Sequence, residues 1–231
     1  MAKKIAKKKS KTTKRLKGFL PKNAFVMMKT SKKAATPPVD SAAFSTLEEV
    51  YQSLEGCQRC GLCKGRTQIV RGEGNPKPEI LFVGEAPGAK EDESGRPFVG
   101  RSGQLLTKMI EAMGVKREQV FIANVVKCRP PENRPPKPAE VEQCRPFLEA
   151  QIRMLKPKVV VALGKTAAAN LLQTKEAIGE LRGKMHSYQG TKLIVTFHPA
   201  YLLRNPPAKK DCWEDLQIAM KELGWKTPAK S

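Results

Sequence analysis

ILFVGEAPGAKEDESGRPFVGRSGQLL, residues 80–106, passes from an apolar run through a loop rich in glycine and acid into a helical pattern. Ile80, Leu81, Phe82 and Val83 are strand formers without polar alternation, which predicts a short strand buried on both faces of a parallel sheet. Gly84 and Gly88 let the backbone turn tightly around Pro87. Glu85 is then left at the strand's carboxyl end, where open α/β sheets bind their ligands. Further on, Leu105, Leu106, Met109, Ile110 and Met113 recur at helical spacing. A plain βα connection would satisfy this pattern, but a loop of roughly 20 residues is long for one, and such loops usually carry function.

The same rhythm continues downstream. Val120–Val126, VFIANVV, reads as a second strand broken by one polar residue, Asn124. The next stretch, KCRPPENRPPKP (127–138), is neither helix nor central strand, because its prolines fix φ and remove donors. A helix follows from Ala139 to Leu155, then a strand over Val159–Leu163 and a helix from Gly164 to about Leu172. Gly164-Lys165-Thr166 lacks the rest of a phosphate-binding loop, which argues against nucleotide binding. The last strand, Leu193–Phe197, runs into HPAYLLRNP (198–206), and Asp211–Leu223 closes the chain as a helix. Upstream, Ser45 and Glu48 form a capping box before a helix carrying Leu47, Val50, Tyr51 and Leu54 and ending at Gly56. Strands alternating with helices predict a three-layer α/β/α sandwich around a mainly parallel sheet of four strands.

Charge divides the chain. Thirteen Lys or Arg fall between Met1 and Lys33 and no acid precedes Asp40, so of the net +21 only about +8 belongs to the rest. Residues 1–44 read as a disordered basic tail and Pro/Ala/Ser linker, and 45–231 as one domain. The tail suits a non-specific tether to DNA phosphates better than a membrane surface. With no secretory signal core and no apolar span, the expectation is a cytoplasmic, nucleoid-associated protein.

Six cysteines in such a chain are not a disulfide framework. Cys57 and Cys60 form a CxxC, while Cys128 and Cys144 downstream have fifteen residues between them. A four-thiolate metal site explains the set better than inert buried thiols, and spacing leaves zinc and iron–sulfur equally open. Glu85, Asn124 and His198 stand at equivalent ends of three strands, which makes a shared site the economical reading.

At this point the chain resembles the family 4 uracil-DNA glycosylases, the iron–sulfur branch of their superfamily, from about Cys57 to Trp213. The motifs that carry it are GEAPG (84–88), GRPFVGRSGQLL (95–106), NVVKCRPPENRPP (124–136) and HPAYLLRNP (198–206). The resemblance implies a hydrolase that removes uracil from single- or double-stranded DNA and leaves an abasic site. It also implies a structural [4Fe–4S] cluster on Cys57, Cys60, Cys128 and Cys144, with Cys63 and Cys212 outside the ligand set. Gly84, Ala86 and Phe98 would line the base, Phe98 by stacking, and Asn124 would read O4 and N3–H. His198 would stabilise the leaving anion and Glu85 or Glu91 would orient water, with Asn133 nearby. Leu202 or Leu203 would enter the minor groove as a wedge, with Arg204 near phosphate. A monomer is expected. Rival readings are a glycosylase with broader deaminated-base scope, a non-catalytic iron–sulfur DNA-binding module, and a zinc protein. A covalent branch of such enzymes is disfavoured by the absence of histidine from KCRPPENRPPKP.

Overall fold

The computed structural model describes residues 39–226, so the basic segment read as a tail lies outside the described residues. Six strands form one sheet: β1 (Glu73–Gly74), β2 (Ile80–Gly84), β3 (Phe121–Asn124), β4 (Val159–Leu163), β5 (Met185–Tyr188) and β6 (Thr191–Thr196). Their order is β1-β3-β2-β4-β6-β5. The four central strands are mutually parallel, and β1 and β5 add antiparallel edges. The helices are α1 (Leu47–Leu54), α2 (Ala89–Ser94), α3 (Arg101–Ala112), α4 (Pro138–Leu155), α5 (Gly164–Leu172), α6 (Ile178–Leu181), α7 (Pro199–Arg204) and α8 (Lys209–Glu222). None among the described residues is long and apolar enough to cross a membrane.

Successive residues of a strand point to opposite faces, so each central strand feeds two cores. Leu81, Val83, Ala123, Val160 and Val195 pack with residues of α1, α4 and α5. Ile80, Phe82, Ile122, Val161 and Ile194 pack with residues of α3, α7 and α8. This is the expected three-layer sandwich, built on six strands rather than four. β1 escapes a sequence reading because it is two residues inside a turn-rich stretch. β5 escapes because it is polar, joined to β6 through Gln189 and Gly190, both at positive φ as a tight hairpin requires.

Three boundaries also shift. The first helix is capped by Thr46, whose hydroxyl accepts from the Glu49 N–H, while the Ser45 N–H donates to Glu49; the box lies one residue beyond the predicted one. Residues 39–44, read as linker, are docked: Arg153 donates to the carbonyls of Ser41 and Phe44 (2.7 Å each), and Phe44 packs on Phe147. The long loop after β2 contains α2. At the amino ends of the strands Glu79 pairs with Lys158 and accepts from the Trp225 indole at 3.1 Å.

Candidate active site

A cavity of about 750 Å³ opens at the carboxyl ends of β2, β3 and β6. Its walls include Glu85 and Ala86 after β2, Phe98 from the long loop, Asn124 ending β3, Asn133 from the proline-rich loop, and His198, Tyr201 and Arg204 from the last motif. The expected pocket residues therefore come together.

Gly84 is opposite Asn124 in the sheet register. A Cβ on Gly84 would collide with the Phe98 ring and come within 2.5 Å of Asn124 Oδ1, so only glycine lets ring and amide share this corner. Phe98 is buried with φ 51°, a left-handed conformation that costs a non-glycine residue roughly 1–3 kcal/mol. Gly103 makes that backbone possible, since a side chain there would overlap the Phe98 carbonyl. The ring sits 5.7 Å from that of His198, tilted by 34°.

His198 caps α7. Its Nδ1 accepts from the Ala200 N–H at 3.1 Å, which assigns the proton of the neutral ring to Nε2. Burial, with Arg204 acting in the same direction, lowers the His198 pKa to about 4. The ring is therefore neutral near pH 7, a donor through Nε2. Asn124 is buried, and its Oδ1 has no hydrogen-bond partner among the described residues. Buried polar atoms are seldom left so, and an unsatisfied acceptor in a cavity wall is the mark of a ligand contact.

The two acids diverge. Glu91 Oε1 accepts from Val99 and Gly100 N–H (2.9 and 2.8 Å) and its Oε2 from Gly88 N–H (3.1 Å), so its carboxylate closes the loop on itself. The Glu85 side chain makes no hydrogen bond among the described residues. Asn133 stands at the rim with its carbonyl taken by Arg129 at 2.9 Å.

On α7 the two candidate leucines differ in exposure. Leu202 is 1% exposed and belongs to the core, which corrects its place among substrate-binding residues, whereas Leu203 is 40% exposed. Tyr201, 39% exposed, stacks on Phe197, and the Arg182 guanidinium covers the other ring from 5.5 Å. Arg182 is in turn held by buried Asp215 at 3.1 Å.

Cys57, Cys60, Cys128 and Cys144 line one small cavity beneath α1, together with Cys63. Burial pushes the Cys128 thiol up to about 11 and Cys144 up to about 12, so without a cation both stay protonated. Arg66 lies 3.5 Å from Cys128 Sγ, and the Lys127 N–H donates to Cys144 Sγ. Among the described residues no three Cys, His, Asp or Glu side chains are close enough to grip a single ion.

Sequence reasoning missed Lys127 and Arg66. Lys127 follows the apolar pair Val125–Val126 but reads as the first residue of the proline-rich loop, and nothing marked Arg66.

The family model of the Uracil DNA glycosylase superfamily matches residues 71–217. The Type-4 uracil-DNA glycosylase of Pyrobaculum aerophilum is 46% identical over 182 residues, covering 74% of this chain and 92% of that protein. That of Thermotoga maritima is 49% identical over 161 residues, covering 69% and 84%. That of Archaeoglobus fulgidus is 40% identical over 191 residues, covering 79% and 96%.

Proposed function

This chain belongs to the uracil DNA glycosylase superfamily, and we infer from that membership and from its pocket that it is a DNA repair enzyme that excises uracil. The carrying observation is the unsatisfied Oδ1 of buried Asn124 in the wall of a cavity that Phe98 and a neutral His198 also line. A base extruded from DNA needs a snug pocket and a stacking face, and extrusion costs a few kcal/mol. Phe98 supplies the face. Asn124 Oδ1 accepts N3–H of uracil while its amide N–H donates to O4; cytosine inverts both.

Hydrolysis breaks the N-glycosidic bond, and the base leaves as an anion with charge on O2. His198 Nε2–H donates to that oxygen, and a neutral donor already in place needs no proton transfer to act. Glu85 orients the attacking water and favours a cationic sugar, as carboxylates do around oxocarbenium-like transition states. Glu91 holds the loop in shape. Gly84 and Ala86 bring backbone close to the base, and Asn133 shapes the rim. Leu203 fills the gap in the duplex with Arg204 near phosphate.

Cys57, Cys60, Cys128 and Cys144 would hold a [4Fe–4S] cluster, supported by their convergence on one cavity and by the affinity of four thiolates for iron. When bound, it supplies a cross-link between the chain after α1, the proline-rich loop and α4, and metal ligation of this kind contributes folding energy. Iron and sulfide content of anaerobically purified protein separates it from zinc. The basic segment 1–33 would tether the enzyme to DNA without entering the pocket.

The test of function is incubation with an oligonucleotide holding one uracil, in chelator, followed by alkaline cleavage. Cleavage at the uracil is expected; intact strands overturn the reading. Asn124→Asp should slow excision at least tenfold, the scale of one lost charge-assisted contact.

A further inference from the structure

We propose that Lys127 is a positioning residue for base selection, its side chain holding the backbone of Asn124 from behind the pocket. This rests on Asn124 being the reader of uracil. Lys127 has no exposed surface, and its ammonium donates to the Asn124 carbonyl at 2.9 Å and to Gln151 Oε1 at 2.6 Å. Gln151 is itself fixed, donating to the Arg71 carbonyl at 2.6 Å. The Lys127 backbone is tied on both sides, its N–H to Cys144 Sγ at 3.3 Å and its carbonyl to the Val70 N–H at 2.8 Å.

A wholly buried ammonium is expensive unless paired. Among the described residues no carboxylate forms an ion pair with Lys127, and the groups that favour its charge are the sulfurs of Cys144 and Cys128. A neutral residue of similar length would fill the space at lower cost, so packing does not explain the charge. What the ammonium adds is direction. Asn124 is the last residue of β3, and its side chain must present one carbonyl and one N–H to the base at fixed angles. A charged donor on its backbone oxygen sets that orientation without occupying the cavity. The route from the cysteine cavity to the base-reading amide is then three contiguous groups: Cys144, Lys127 and Asn124.

Lys127→Met, Asn124→Ala and the double variant of the full chain test this. Lys127→Met should slow single-turnover uracil excision roughly tenfold, the scale of one hydrogen bond from a charged donor. Equilibrium binding of free uracil should weaken by the same factor, with affinity for undamaged duplex unchanged. In the Asn124→Ala background the lysine change should add nothing, because its effect passes through that residue. Equal losses in both backgrounds would mean general loosening and overturn the proposal, as would a wild-type rate for Lys127→Met. If Lys127→Met does not fold, Gln151→Leu takes its place, expected to slow excision a few-fold alone and to be silent beside Asn124→Ala; additivity overturns the proposal here too. A wild-type rate for Asn124→Ala would instead remove the reading of Asn124 beneath it.

Discussion

His198 joins burial to chemistry in one ring. The folded protein holds it neutral down to about pH 4, whereas the unfolded chain takes up the proton below about 6.5. Its neutral form therefore contributes stability that is whole above pH 6.5 and drains away as the pH falls toward 4. We expect His198→Gln to lose less melting temperature than wild type over that interval, read by thermal denaturation at several pH values. At neutral pH the same variant should excise uracil about ten- to a thousandfold more slowly, the range for removing a transition-state donor. Much of the site was legible in the sequence at this scale. Glu85, Asn124 and His198 sit at strand ends, and the sheet alone dictates where a strand end lies. Phe98 was legible only through the motif around it, because its role depends on a positive φ that no residue type announces. Lys127 was hidden by its neighbours: a lysine beside a cysteine reads as a loop residue until its whole length proves to be inside.

The loop after β2 and the short α7 carry opposite lessons about elements. Glu91 closes the loop through three backbone N–H groups, so Glu91→Gln should loosen it by roughly 1.5–3 kcal/mol, the worth of hydrogen bonds to a charged acceptor. Hydrogen exchange should rise at Val99 and Gly100 along with the fall in activity. Were Glu91 the group that positions water, activity would fall with exchange unchanged. On α7, Leu203→Ala should weaken uracil extrusion, read by the fluorescence of a reporter base beside the lesion, and leave the melting temperature near wild type. Leu202→Ala should cost about 2–5 kcal/mol of stability, as truncation of a buried leucine does. The sequence could not separate these neighbours, since a six-residue helix is too short for its periodicity to set the phase. The polar strand β5 was unreadable for a related reason: at an edge, pairing rather than burial defines the strand.

For the whole molecule, charge is the dominant sequence feature. Removing residues 1–33 should flatten the salt dependence of DNA binding, by about 0.9 in log slope for each phosphate the segment engages. Single-turnover excision at saturating enzyme should not change; an unaltered salt slope would assign the segment another purpose. The described body has its own polarity. Arg153, near the end of α4, holds the chain at Ser41 and Phe44, and Trp225 is held by Glu79 just before β2. Both ends of the described chain are thus anchored at the amino ends of the strands, while the pocket opens at their carboxyl ends. A fluorophore carried on Val39 or Lys226 itself would therefore sit at the end of the sheet opposite the pocket, and labelling there should leave uracil excision at the wild-type rate.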